Sequence, residues 1–173
     1  MESILFDEET EIDETLLYKK KYRDNLGRKR KIHLWVFCIK GRQTNKFVLY
    51  LLQKRTKESL FGKILQHIGH ASTIYSDCYS AYVNNRTIPK ESYLEKLGYN
   101  HLFVNHKIQF VSSLLENVHT NKIERMWKNI KKFISISTPK IFIEESIFKY
   151  YFKQNYSYEK QLEILLNLMK KNY

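Results

Sequence analysis

The sequence predicts an α/β protein: a mixed five-stranded sheet flanked by helices, with more helices after it. Three observations carry that expectation. Residues 10–52 hold three β-rich runs separated by short turns, the apolar spacing turns helical from residue 56, and short buried-strand runs then alternate with helical stretches. With 173 residues, 43% of them hydrophobic, and only 5 Gly and 2 Pro, the chain can bury a core and is unlike a disordered or fibrous one. One domain over residues 1–173 is expected.

Residues 10–18 read as a short strand carrying Asp13, followed by a basic turn with Asn25 and Gly27. Ile32 to Ile39 is an apolar run of buried-strand length, Gly41 to Asn45 a turn, and Lys46 to Leu52 a third strand, which completes a meander. From Thr56 to Ile68, Leu60, Phe61, Ile64, Leu65 and Ile68 recur at three- and four-residue intervals, the pattern of an amphipathic helix ended by Gly69. Ser72 to Ser76 is a short buried strand delivering Asp77 at its C-terminal end, with Tyr79 to Tyr82 entering another helix or a turn. Tyr99 to Val104 is a fifth strand, and Asn121 to Ile134 a helix with Ile123, Met126, Trp127, Ile130, Phe133 and Ile134 inward. Residues 140–173 read as two C-terminal helices. The order βββαβ(α)βα is that of a ribonuclease H-like fold.

The net charge of +12 is uneven. Seven of the 18 acids precede residue 15, whereas all 30 Lys and Arg follow, an excess of 19 over the 11 remaining acids. So basic a domain, with Tyr and Phe among its lysines, suits nucleic acid better than a membrane surface. The segment Lys19 to Arg23 and Arg28 to Lys31 has the form of a two-part nuclear import signal and equally suits a hairpin tip beside DNA. Cys38 and Cys78 stand 40 positions apart without a CxxC, which indicates neither a disulfide framework nor a zinc ribbon. With no run of about 18 apolar residues and no leader, an intracellular location is expected: the nucleus in a eukaryote, the cytoplasm or nucleoid in a bacterium.

Metal-assisted phosphoryl chemistry needs carboxylates that converge from separate elements, because two ions roughly 3.5–4 Å apart each require hard oxygen ligands. Asp13 in the first strand, Asp77 at the end of the fourth and Glu124 on the late helix are the candidates. Each also has a structural explanation. Asp13 lies in an acidic run of the kind that forms a solvated face, and Asp77 suits a turn or a helix cap. Glu124 follows Asn121 by three residues, close to a capping box, and precedes Lys128 by four, an ion-pair spacing. Their joint placement on the elements of a ribonuclease H-like site favours a shared role. His67 and His70, at a helix end, are expected to face solvent.

Four words then stand in register: EIDET at 11–15, STIYSDCYSAY at 72–82, the stretch Gly98 to His106, and HTNKIERMWKNIKK at 119–132. Together with Trp35–Phe37 and the tail at 143–155, they resemble insertion-sequence transposases of the ISXO-like group and their Merlin relatives over about residues 10–155. The resemblance implies a DDE transposase catalytic domain. Asp13, Asp77 and Glu124 would be its catalytic metal ligands, with two Mg2+ or Mn2+ ions per site. The reaction would be cleavage at transposon ends and transesterification into target DNA, by a homodimer or larger assembly without a small-molecule substrate. Asn105, His106, Lys107 and His119, with Asn121, Lys128, Lys131 and Lys132 on the Glu124 helix, would contact DNA. The family usually has a Gly-rich turn after its first strand, where this chain has Leu16-Leu17-Tyr18-Lys19-Lys20, so a differently shaped first hairpin is expected. It also usually carries an N-terminal DNA-binding module; that module is expected to be absent here, leaving end recognition to come from elsewhere. Two other readings stay open: a domesticated or truncated transposase-derived regulator that binds DNA without catalysis, and a ribonuclease H-like nuclease.

Overall fold

A computed structural model describes residues 4–84, 86–104, 120–135 and 138–171. Its central feature is a five-stranded sheet in the order β3-β2-β1-β4-β7. The strands are β1 (Thr10–Arg23), β2 (Lys29–Gly41), β3 (Phe47–Leu52), β4 (Thr73–Asp77) and, after two short strands described below, β7 (Asn100–Val104). The first three form an antiparallel meander, whereas β4 joins β1, and β7 joins β4, in parallel. This is the ribonuclease H-like arrangement expected from the element order. The chain divides into two compact units, Met1–Trp127 and Lys128–Tyr173.

Within the first unit, strand alternation sorts the sheet's two faces. Ile12, Phe37, Ile39, Val48 and Ile74 point to one face and pack with Leu60, Ile64 and Ile68 of α1 (Lys57–His67) and its C-cap. Helix α1 starts where Thr56 accepts a hydrogen bond from the Ser59 amide (3.3 Å) and ends at Ile68, before Gly69. Leu65, expected inward, is half-exposed because it lies about 100° round the helix from Ile64, off the buried stripe of Leu60, Ile64 and His67. His67, expected at the surface, is buried: Nδ1 meets the Ile4 carbonyl at 2.6 Å and Nε2 the Tyr50 hydroxyl. His70 is exposed and stacks on Tyr99.

Between β4 and β7 the alternative of a helix at Tyr79 is not realised among the described residues. Turns lead instead to a two-stranded ribbon of β5 (Val83–Asn84) and β6 (Glu91–Ser92), then a 3-10 turn at Glu95–Leu97. Tyr82, Val83 and Leu94 from this segment are fully buried. Polar core groups pay their desolvation through hydrogen bonds: His101 meets Ser76 Oγ at 2.8 Å through Nε2 and Ser92 Oγ at 2.6 Å through Nδ1.

Helix α2 (Asn121–Phe133) begins in the first unit and ends in the second. The second unit also holds α3 (Lys140–Asn155) and α4 (Tyr158–Lys171), the two C-terminal helices expected. Ile143, Ile147 and Tyr150 of α3 are buried, and Phe133, expected inward, is 42% exposed and meets Tyr150 edge-on. Among the described residues, no helix is long and apolar enough to cross a membrane.

Burial pulls the His101 imidazole down from 6.5 to about 4. Between those values the unfolded chain takes up a proton that the folded protein refuses. This contribution to stability is therefore whole above about pH 6.5 and falls away as the pH drops toward 4, by about 3 kcal/mol in all. Urea unfolding at pH 7 and pH 4.5 should show the wild type losing about 2–3 kcal/mol more than His101→Gln. Equal losses would mean that the imidazole protonates freely in the folded protein.

Candidate active site

The site is built from β1 outward. Residues 11, 13 and 15 alternate with Ile12 and Glu14, so Glu11 and Asp13 point away from the α1 core. On that side lies the start of α2. The Glu11 side chain has no solvent exposure. Its Oε2 accepts the Ile123 amide at 3.2 Å, and its Oε1 accepts Arg42 Nε at 3.1 Å. One helical turn later, the Trp127 indole donates to Asp13 Oδ2 at 2.7 Å. The other oxygen of Asp13 accepts the Glu14 amide, also at 2.7 Å. Two acids one strand repeat apart thus hold one helix at two successive turns.

Arg42 ties this arrangement to the sheet. Its guanidinium stacks 3.7 Å from the Tyr75 ring centroid and pairs with Glu9 at 3.6 Å as well as with Glu11, while Lys122 Nζ donates to its carbonyl. An unpaired N-terminal amide of α2 and a buried carboxylate each find the other, so neither is left unsatisfied. The capping box anticipated around Asn121 is not what forms. Asn121 is the first helical residue, the hydroxyl of buried Thr120 approaches Glu124 Oε1 at 3.4 Å, and the amide at the third helical position is taken by Glu11 on another element.

Strands β1 and β4 pair in parallel with Thr10 opposite Ile74 and Glu11 opposite Tyr75. Extending this register by two residues sets Asp13 level with Asp77, on the same side of the sheet. Asp77 accepts the Tyr79 amide at 2.9 Å, so of its two structural alternatives the turn is the one realised. Glu124 is exposed on α2, one turn before Trp127. Burial lifts the Asp13 carboxyl from 3.8 to about 6; the charges of Asp77 and Glu124 add to the rise, and the bonds from Trp127 and Glu14 oppose it. Asp13 is therefore close enough to Asp77 and to Glu124 to feel the charge of each. Among the described residues no group of three acidic, imidazole or thiol side chains is drawn together tightly enough to hold a metal ion. Asp13 and Asp77 are turned instead toward protein donors.

Behind Asp13, on the core face, sits a second acid. Glu14 is buried, accepts the Tyr82 hydroxyl and lies 3.6 Å from Arg55, whose guanidinium is stacked on Trp35 at 3.7 Å and Tyr79 at 4.4 Å. Burial pushes its carboxyl up to about 8, against the pull of Tyr82 and Arg55. The acidic run at 11–14 is thus not a solvated face. Both its glutamates are interior groups, one on each side of the sheet.

Of the residues expected at DNA, Asn105, His106, Lys107 and His119 lie outside the described residues. Asn121 is exposed in the first unit, and Lys128, Lys131 and Lys132 are exposed on α2 in the second. Glu11, Arg42 and the donor role of Trp127 were not anticipated; the i, i+2 spacing of Glu11 and Asp13 on a strand is the signal that points to the first.

The ISXO2-like transposase domain family matches residues 6–151, a span that contains every element of this site. The chain belongs to that family. No curated protein is significantly similar to it in sequence. Among solved structures, the transposase domain is similar to the HTLV-2 integrase catalytic core domain, determined in complex with magnesium in a trimeric form. That pair is 13% identical with a TM-score of 0.41, covering 87% of this chain and 86% of the integrase chain.

Removing the grip on α2 should cost stability on the scale of a broken buried ion pair. Glu11→Ala strands the Ile123 amide and leaves Arg42 with Glu9 as its remaining carboxylate, and is expected to lose about 3 kcal/mol in urea unfolding, with Glu11→Gln losing less because it keeps an acceptor. A loss below about 1 kcal/mol for the alanine variant would show that the contact is dispensable.

Proposed function

We propose that this transposase domain cuts DNA strands at transposon ends and joins them to target DNA, with Asp13, Asp77 and Glu124 as its catalytic carboxylates. The observation that carries the reading is the parallel pairing of β1 with β4, whose register sets Asp13 level with Asp77 while Trp127 joins the Glu124 helix to Asp13. Membership of the family supports it.

Asp13, whose proton affinity the charges of Asp77 and Glu124 raise, forms with those two carboxylates a set of hard oxygen donors suited to Mg2+ or Mn2+, the ions the three would hold. When bound, such a pair of ions supplies Lewis acidity for in-line displacement at phosphorus. The chain's own residues provide orientation. The Trp127 indole and the Glu14 amide each engage one oxygen of Asp13, fixing its carboxylate plane. Glu11 fixes the start of α2 and hence the direction in which Glu124 leaves the helix. Exposed cations such as Lys128, Lys131 and Lys132 suit the phosphate backbone. Assembly as a homodimer or larger complex on DNA, and an intracellular site of action, belong to the same proposal.

Divalent-metal-dependent nicking and strand transfer should fall by at least about a thousandfold in Asp13→Asn, Asp77→Asn and Glu124→Gln. Duplex binding should persist. Mg2+ should also raise the melting temperature of the wild type but not of Asp77→Asn, a readout independent of turnover. Cutting that continues unchanged in all three variants would overturn the assignment, and duplex binding by a wild type that cuts no DNA would favour a non-catalytic regulator.

Trp127→Phe keeps the ring and deletes the donor. It should lower turnover about 10–100-fold with duplex affinity unchanged, as expected for a group that orients a metal-binding carboxylate. Single-turnover cleavage at saturating enzyme measures this, and wild-type turnover in the variant would remove Trp127 from the mechanism.

A further inference from the structure

Strands β1 and β2 run on beyond the rest of the sheet. β3 pairs with β2 only as far as Trp35, and β4 pairs with β1 only at Thr10 and Glu11. The register of β1 against β2 shifts between Leu16 and Tyr18, and six further pairs, from Tyr18–Leu34 to Arg23–Lys29, form a two-stranded ribbon about 20 Å long that pairs with no other described strand. Between residues 19 and 31 lie eight Lys and Arg and one acid, Asp24. The side chains of 19–23 and 28–31 are all exposed.

Two features make this more than a solvated charge run. First, the ladder sets Lys21 directly opposite Lys31 and Arg23 opposite Lys29. Like charges so placed destabilise a free ribbon, and a polyanion relieves them. Second, the tip is tightly built. Asp24 Oδ1 accepts the amides of Leu26 (3.0 Å) and Arg28 (2.9 Å), while Oδ2 accepts Arg28 Nε and Arg30 Nε, both at 3.0 Å. Gly27 supplies the positive φ of 73° that the turn requires, and Arg23 donates to its carbonyl at 3.0 Å. Leu34 anchors the root of the ribbon in the core; an isolated ribbon is marginal in water, so this tip stiffens the exposed outer part of the arm.

Because β1 continues past the C-terminal end of β4, the arm leaves the sheet from the end that carries Asp13 and Asp77. Its basic part on β1 lies six to ten residues beyond Asp13, about 20–34 Å along the strand, within one turn of a B-form duplex. A two-stranded ribbon also fits the major groove. We propose that residues 18–34 form a DNA-docking arm that grips phosphates of duplex DNA within about one helical turn of the bond cut at the carboxylate site. The placement relative to the cut rests on the transposase reading above; the duplex contact itself does not. Tyr22 and Leu26 are the arm's exposed apolar side chains, too little to anchor it in a lipid surface.

Replacement of Lys19, Lys20, Lys21, Lys29 and Lys31 by Gln leaves the Asp24 tip network intact. Fluorescence anisotropy on a 30-base-pair duplex of mixed sequence should then show a log K against log [salt] slope shallower by about 3–4, since each phosphate contact contributes roughly 0.9. Affinity at 100 mM salt should fall about 30-fold or more, and Arg at the same five positions should restore it. Lys31→Gln alone relieves a repulsion, so its melting temperature should not fall while its slope drops by about 1. A Gln variant that folds and binds duplex with wild-type affinity and slope would overturn the proposal, as would loss of binding to anionic vesicles with DNA binding unchanged. Metal-dependent cleavage by the wild type separates the two proposals. Without cleavage but with the slope change, the arm stands as a duplex-binding element; with cleavage and an unchanged slope, only the arm falls.

Discussion

The contact between β1 and α2 is the constraint on which the site depends. A strand presents every second residue to one face, and a helix presents every third or fourth. Glu11 and Asp13 are one strand repeat apart, while the Ile123 amide and the Trp127 indole are one helical turn apart. Matching these two periodicities locks the helix against both rotation and sliding. Glu124, between the two tethers, inherits its position from them. Burying Glu11 without solvent exposure is tolerable only because Arg42 and a helix N-terminus both meet it.

The two faces of the sheet divide the labour. On the α1 face, Ile12, Phe37, Ile39 and Ile74 pack an apolar core into which two polar networks are set, Glu14 with Tyr82 and Arg55, and His101 with Ser76 and Ser92. Among described buried side-chain atoms only His33 Nε2 lacks a partner. On the opposite face the same strands carry Asp13 and Asp77. Glu14 and Asp13 are adjacent in the chain yet sit on opposite sides of the sheet, in different electrostatic surroundings. Glu14 has its ionised form opposed by a nearly dry core, whereas Asp13 is held by two donors beside other carboxylates. Alternation along one strand thus makes a structural acid and a site acid from consecutive residues.

Much was legible in the chain because the periodicities are local. Three β-rich runs, the helical spacing of Leu60, Ile64 and Ile68, and the buried strand before Asp77 all specify their elements without long-range help. The connection after Asp77 was less so. Tyr79 to Tyr82 suits a turn or a helix equally, and the turn wins because Asp77 accepts the Tyr79 amide while Tyr82 is drawn into the core to meet Glu14. His67 illustrates the same limit. At a helix end it reads as a surface group, yet the Ile4 carbonyl and the Tyr50 hydroxyl, from distant parts of the chain, enclose it.

By itself the sequence determined the element order, the excess of positive charge after residue 14 and the family words around Asp13, Asp77 and Glu124, since these depend only on neighbours along the chain. Only the tertiary structure decided that Glu11 and Trp127 join β1 to α2, that Arg42 completes the join, and that the first hairpin outruns its sheet as a basic arm. Those outcomes depend on strand register and on which carboxylate reaches which donor, and the two contacts that join β1 to α2 bring together residues more than a hundred positions apart.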